Sequence, residues 1–317
     1  MHWLTFGKTL ANMKIIAAII LSMLAGNINP ETVKVEIAKY KDDKKAAVSF
    51  TYDDGSMDHY TMVAPHLEAA GIRGTFWIIG RVVGGSPYSL DWDKIKEMAD
   101  RGHEMSNHTY SHKHMTKWTE EEICQDIVKC DDMLEEHLGK RPRTIALPFN
   151  ELNPTILKIS QEGRVGVRTR QTGQGQGRAF KGSGDRYSTL PEMKSWLQKT
   201  IDKGEWGITM THAIVKGWDA WEDPQVYWDF IEYCGTRSDE VWFATFEDVA
   251  SYNAERDACT IETSVKGSKL KVTPKCTLDS KLFDKKLTLK VSVNGKVHCI
   301  DFDPYGKAFT VNLRKLK

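Results

Sequence analysis

The sequence predicts an α/β chain built as a parallel barrel or near-barrel, followed by a small all-β domain. Two observations carry this. Short apolar runs alternate seven times with amphipathic stretches between residues 46 and 256, the signature of a parallel sheet with helices outside. Beyond Arg256 the pattern changes to strands alone, with Asn294-Gly295 as a strong hairpin signal between two of them.

Taken in order, the strands are expected at Ala46–Tyr52, Arg73–Ile79, His103–Asn107, Thr144–Leu147, Arg164–Arg168, Trp206–Met210 and Val241–Thr245. Helices are expected between them at Met57–Ala70, Trp92–Arg101, Thr119–Leu138, Pro154–Glu162, Pro191–Lys203, Pro224–Cys234 and Phe246–Arg256. Thr119 followed by three glutamates reads as an N-cap with acids in the first turn, and Gly139 as the stop. The tail strands are expected at Thr260–Val265, Lys269–Pro274, Leu287–Asn294, Lys296–Phe302 and Ala308–Leu313, a β-sandwich-like domain over 257–317. Residues 39–45 read as a charged linker, and the Gly/Gln-rich segment 171–184 as a surface loop.

The N-terminus carries Lys8 and Lys14 before an apolar run from Ile15 to Leu24 that ends at Ala25-Gly26. Such a basic start, short apolar run and small residues fit a signal peptide over 1–26, and hence a secreted or periplasmic protein. The run is shorter than the roughly 20 apolar residues of a stable membrane span. With 44 basic and 43 acidic residues the chain has no overall bias toward nucleic acid or an anionic membrane. Six cysteines without a CxxC pair indicate neither a disulfide scaffold nor a thiolate zinc site. If any bridge forms, Cys276 with Cys299 is the pair to test first.

Three constellations could carry chemistry. Ser49-Phe50-Thr51-Tyr52-Asp53-Asp54-Gly55 delivers two adjacent carboxylates to a strand end, where a glycine lets the chain turn. Two acids there allow one to ligate a metal and the other to handle protons. His108 and His112 follow the third strand at i and i+4, a spacing that lets two imidazoles meet one cation. Two imidazoles and a carboxylate leave positions open for water, as in a catalytic divalent site. His103 and His114 fit that geometry less well and read as structural or surface residues. His212 ends the strand Trp206–Met210 and is placed to donate a proton.

Taken together, in this order and at strand ends, these motifs resemble the polysaccharide deacetylases of the NodB-homology type, the family-four carbohydrate esterases. That family carries a T-F/Y-D-D-G motif, an H-T-x-x-H pair and a late strand ending on histidine, and the likeness spans about two-thirds of the chain. The resemblance implies a distorted (β/α) barrel catalytic domain over 40–256 that removes acetyl groups from an acetylated polysaccharide or oligosaccharide. It implies Asp53 as the general base toward a metal-bound water, Asp54, His108 and His112 as metal ligands, and His212 as the acid. Zinc is the expected ion, with cobalt or nickel also suited to a mixed N/O site. N-deacetylation of N-acetyl-hexosamine residues is the first expectation. An O-acetyl esterase acting on xylan-like chains and a silent carbohydrate-binding protein are the rivals.

Two departures stand out. Where the family usually has R-x-P-Y/F-G, its arginine orienting the base, this chain reads Ala146-Leu147-Pro148-Phe149-Asn150. Its fourth motif is replaced by Val165-Gly166-Val167-Arg168-Thr169-Arg170. Arg168, at the end of its own strand, is therefore the expected cation beside Asp53. Pro148, Phe149 and Asn150 are expected at the substrate, with a backbone N–H in their loop facing the oxyanion. Trp77, Trp92, Trp118, Trp218 and Trp221 are candidate sugar platforms, Trp218 and Trp221 foremost because they follow His212 closely.

Overall fold

The computed structural model describes residues 32–169, 178–179 and 187–316. The signal-peptide expectation, Arg170 and nearly all of the Gly/Gln-rich segment lie outside them. The described chain forms two compact units.

The larger unit spans Lys39–Asp257 and Leu278–Lys285. After an early strand β1 (Lys34–Ile37), which belongs to the smaller unit, its sheet begins with β2 (Ala46–Ser49) and β3 (Thr51–Tyr52). It continues with β4 (Thr75–Ile78), β5 (Glu104–Asn107), β6 (Thr144–Ala146) and β7 (Gly166–Arg168). The last members are β8 (Arg178–Ala179), β9 (Trp206–Met210) and β10 (Val241–Phe243). Every pairing among β2–β10 is parallel, in the orders β10-β2-β9-β8 and β3-β4-β5-β6-β7.

The expected first strand is broken at Phe50, and the break has a purpose in the topology. Below it, β2 takes β10 and β9 as neighbours; above it, β3 pairs with β4 and bridges from Tyr52 to Thr211. One stretch of chain thereby joins two parallel sheets into a curled, open barrel. Helices follow the strands as parallel connections require. The helix expected at Met57–Ala70 starts at Met57 and is wound as a π-turn at His59–Val63 before Ala64–Ala69. Glu120–Leu138 begins at a Thr119–Glu122 capping box and ends on left-handed Gly139, as the sequence predicts.

The smaller unit comprises residues 32–38, Ala258–Thr277 and Lys286 onward. It holds β11 (Cys259–Lys266), β12 (Lys269–Cys276), β13 (Leu287–Val293), β14 (Lys296–Phe302) and β15 (Phe309–Asn312). They form two antiparallel three-stranded sheets, β1-β13-β14 and β11-β12-β15. Asn294 and Gly295 both have positive φ and join β13 to β14 with Val293 opposite Lys296, the twist a two-residue hairpin demands. The sequence misses β1, a four-residue strand of alternating exposure whose partner, β13, lies over 250 residues away. Cys276 and Cys299 lie in different sheets, and the residue in register with Cys276 is Cys259.

Candidate functional site

The three constellations meet at the C-terminal ends of β3, β5 and β9, the end at which barrels gather their chemistry. There they line a cavity of about 510 Å³ with Asp53, Asp54, His108, His112, His212 and Asp219. The apolar and aromatic part of the lining is Leu147, Phe149, Met210 and Trp218.

Asp53 extends the β3–β9 pairing, its N–H donating to the Thr211 carbonyl. Asp54 then turns out of the strand at φ 78° and Gly55 follows at φ 71°. That pair of left-handed residues lets both carboxylates face one cavity. An aspartate in this region is strained and persists only where its surroundings hold it. Thr109, His112, Phe149, Asn150 and Asp219 share the same backbone region here, as Asp42, Asp43 and Asn294 do elsewhere.

The imidazoles are held from behind. His108 Nδ1 donates to the Ala146 carbonyl at 2.8 Å, which leaves Nε2 facing the cavity. The residue standing where the family has its arginine thus serves through its backbone. Thr109 N–H donates to Asn107 Oδ1 at 2.6 Å, and Thr109 Oγ1 accepts from the His112 N–H. Asn107 in turn donates to buried Asp131, which pairs with Arg164 at 2.6 Å. Asp126 accepts from the Ser111 N–H. Two acids of the helix Glu120–Leu138 therefore brace the histidine loop, a role no sequence spacing announces.

One nitrogen or oxygen from each of Asp54, His108 and His112 lies within 4.8 Å of the others. His108 Nε2 is 3.4 Å and His112 Nε2 3.5 Å from Asp54 Oδ1. That oxygen is buried and makes no hydrogen bond, an orphan acceptor aimed between two imidazoles. An N,N,O set with such an orphan fits a divalent cation with open coordination positions.

Asp53 differs from its neighbour. The Arg168 guanidinium grips both its oxygens, at 2.7 and 2.5 Å, and also donates to Thr51 Oγ1. Arg168 is 1% exposed and lies 5.4 Å from the centre of the Trp77 ring. Burial pushes the Asp53 carboxyl up, but Arg168 outweighs it, with help from His108 and His212, and holds it well below the usual carboxylate range. Burial likewise raises Asp54, and the nearby His108 imidazole brings it below its ordinary value. His108 itself is lowered by burial and raised on balance by the two aspartates. Burial and the nearby His108 depress His112.

Across the cavity His212 Nε2 stands 4.0 Å from Asp53 Oδ2, and its Nδ1 faces Asp219 Oδ2 at 3.4 Å. Asp219 is absent from the sequence reading; an acid in a short loop after a strand-end histidine is too common to single out. Two more residues were missed. Asp58 Oδ2 accepts from three successive N–H groups, Ile214, Val215 and Lys216, at 3.1, 2.8 and 3.2 Å. Buried His59 Nε2 bonds the His212 carbonyl at 2.8 Å from the π-turn. The segment that carries Asp53 and Asp54 therefore also clamps the loop that carries His212.

The remaining expectations divide. Phe149 and Asn150 line the cavity, whereas Pro148 is buried and starts the turn that presents them. Trp218 is 71% exposed at the cavity. Trp221 is buried and stacked on Tyr227, so it is a core residue and no sugar platform. Trp77 is likewise buried, Trp92 stacks on His137, and Trp118 packs on the core. His103 is buried between Glu68 and the Gly74 N–H, and exposed His114 stacks on Phe149.

A curled parallel sheet with a His/His/Asp cluster at its strand ends defines an α/β barrel with a candidate metal centre. Residues 40–167 match the family model of the polysaccharide deacetylases. The chain is 31% identical over 119 residues to a peptidoglycan-N-acetylglucosamine deacetylase of Bacillus cereus, covering 37% of this chain and 42% of that protein. It is 30% identical over 117 residues to a chitin deacetylase of Arthroderma benhamiae, covering 36% and 31%. It thus spans less than half the length of these curated relatives. In fold it is similar to a Mycobacterium smegmatis protein provisionally named a polysaccharide deacetylase, with a TM-score of 0.51 and 17% identity over 68% of this chain and 92% of that one.

Proposed function

We propose that this chain is a secreted, metal-dependent hydrolase that removes acetyl groups from an acetylated polysaccharide, with N-acetyl-hexosamine residues as its substrate. The observation that carries the reading is the buried Asp53–Arg168 pair set beside the Asp54, His108 and His112 cluster and facing His212. Catalysis is assigned to the larger compact unit and secretion to the apolar run before residue 26.

Asp54, His108 and His112 would hold the cation, with zinc expected from the donor set. When bound, a divalent ion there supplies Lewis acidity toward the acetyl carbonyl and the attacking water. The chain's own residues do the rest. Arg168 keeps Asp53 ionised and fixes its plane, so that Asp53 can take the proton of the attacking water. The Phe149 N–H is the donor proposed for the developing oxyanion, since the Asn150 and Glu151 N–H groups donate to the Leu147 and Pro148 carbonyls. Asp219 holds His212 Nδ1, which turns Nε2 toward the departing nitrogen and lets it deliver a proton there. Phe149 and Trp218 line the cavity and offer apolar surface for a sugar ring.

The test is acetate release from N-acetylglucosamine oligomers and from acetylated xylan, by zinc-loaded and chelator-treated protein. The reading expects release from the amide substrate that is lost on chelation and restored by zinc. Release from xylan alone would replace it with an O-acetyl esterase. Sugar binding with no acetate from either would replace it with a silent binding protein.

A further inference from the structure

The near-neutral chain conceals a division of charge. The segments of the smaller unit, 32–38, 258–277 and 286–317, hold twelve Lys and Arg against four Asp and Glu, a net charge of +8. Because the whole chain is at +1, everything else together is at −7.

Within the smaller unit the basic residues are not evenly spread. In β12 the buried residues Leu270, Val272 and Pro274 alternate with exposed Lys269, Lys271 and Lys275. Register adds Lys266 of β11 directly opposite Lys269. Like charges in directly opposed positions destabilise a sheet. Among the described residues none of these four lysines makes an ion pair that would offset the repulsion. The other sheet shows the contrast: there Lys290 pairs with Glu36 at 3.3 Å, and Asp301 accepts from the Thr288 hydroxyl. A solvated face would need no such concentration of unpaired cations on its central strand.

The neighbours on the same face narrow the partner. Ser264 and Thr310 flank Lys271, and Asn312 lies opposite Lys269, while Glu262 is the only acid in register with β12. No aromatic residue stands among them, so the face lacks the rings that stack on nucleobases or on neutral sugars. It also lacks the exposed apolar side chains that enter a bilayer. Cations interleaved with hydroxyls and an amide match a chain that alternates anionic groups with sugar hydroxyls. At about 3.4 Å per residue, Lys269 to Lys275 covers roughly 20 Å, enough for several sugar units.

We propose that the outer face of the β11-β12-β15 sheet, through Lys266, Lys269, Lys271 and Lys275, binds an anionic polysaccharide and tethers the chain to the matrix in which its substrate lies. Such a tether raises the effective concentration of the substrate without touching the chemistry. The choice of a polysaccharide rests on the deacetylase reading, but the binding test does not depend on activity.

The full chain is run by affinity electrophoresis through gels containing polygalacturonate or neutral hydroxyethylcellulose, and separately titrated with duplex DNA and phosphatidylglycerol vesicles. Retardation by polygalacturonate alone, abolished by about 0.5 M salt, is expected. Combining Lys266→Gln, Lys269→Gln, Lys271→Gln and Lys275→Gln should weaken it about tenfold or more, while Lys296→Gln with Lys307→Gln leaves it unchanged. The fourfold variant should melt no lower than wild type, since it relieves the opposed charges, and should keep its acetate release from a short oligomer. Absent retardation, a fourfold variant as retarded as wild type, or tighter binding to DNA or vesicles overturns the proposal. A chain that is retarded but releases no acetate contradicts the deacetylase reading alone.

Discussion

Two carboxylates lie buried at opposite ends of the same curled sheet, and their states differ. Asp53, past the end of β3, is gripped by Arg168 and held far below its ordinary pKa. Glu104, at the start of β5, is pushed up to about 7 by burial and by the nearby Glu247. Its partners are neutral: the Thr144 and Thr75 hydroxyls and the Glu247 N–H. The cations at that end, Arg143 and Lys140, go to Glu247 instead. Burial opposes charge in both places, and the direction is set by whether a guanidinium is aimed at the carboxylate. At the rim the pairing keeps ionised the carboxylate proposed as the base. At the floor its absence leaves a carboxyl with a raised pKa, which accepts hydrogen bonds from three other segments of the barrel.

The comparison breaks most visibly at Arg168. Arg168→Met leaves Asp53 buried without its cation, a change that typically costs about 3–5 kcal/mol. Acetate release should fall by about a hundredfold or more, with Arg168→Lys intermediate because it keeps the charge and loses the two-pronged grip. Melting temperature and kcat measured on both variants check this, and an Arg168→Met protein with wild-type turnover refutes the pairing's role.

Asp58→Ala tests how far the rim depends on its bracing. It strands three N–H groups of the His212 loop, a loss of roughly 1–3 kcal/mol. Because the loop carries the proposed acid, kcat should drop about tenfold while zinc content stays unchanged. Equal losses in kcat and in bound zinc would show a general collapse of the site rather than misplacement of His212.

The smallest effect is expected at the floor. A carboxyl whose pKa is raised from 4.5 to about 7 on folding binds protons more tightly in the folded state. Its contribution therefore favours folding below pH 4.5 and is lost as pH rises toward 7. Glu104→Gln should remove that part of the slope, so the melting temperature of wild type should fall more than the variant's between pH 4.5 and 7. Parallel curves would mean that Glu104 does not titrate there.

Much of the rim was legible because its chemistry follows from local features. Asp53-Asp54-Gly55, the His108/His112 spacing and a strand ending in His212 each place a side chain at a strand end, and parallel strands then bring those ends together. Arg168 was reached differently, as the cation at its strand's end once Ala146 stood where the family has its arginine. Asp219, Asp58 and His59 were not, since their roles depend on how the loop after β9 folds back over the first strand's turn. Trp221 misled because nearness to His212 in sequence says nothing about the face a side chain takes. In the fold, helix and strand positions followed periodicity. The break at Phe50 and the pairing of β1 with β13 are long-range choices that no local pattern encodes.

The central claim is that Asp53 acts as a base distinct from the metal ligands, and Asp53→Asn tests it most directly. The substitution preserves shape and leaves Asp54, His108 and His112 untouched. Zinc stoichiometry by elemental analysis should match wild type, while acetate release from an N-acetylglucosamine oligomer falls by about a hundredfold to ten-thousandfold, the range expected for loss of a general base. Wild-type turnover with full zinc would contradict the account, and so would loss of the metal along with the activity.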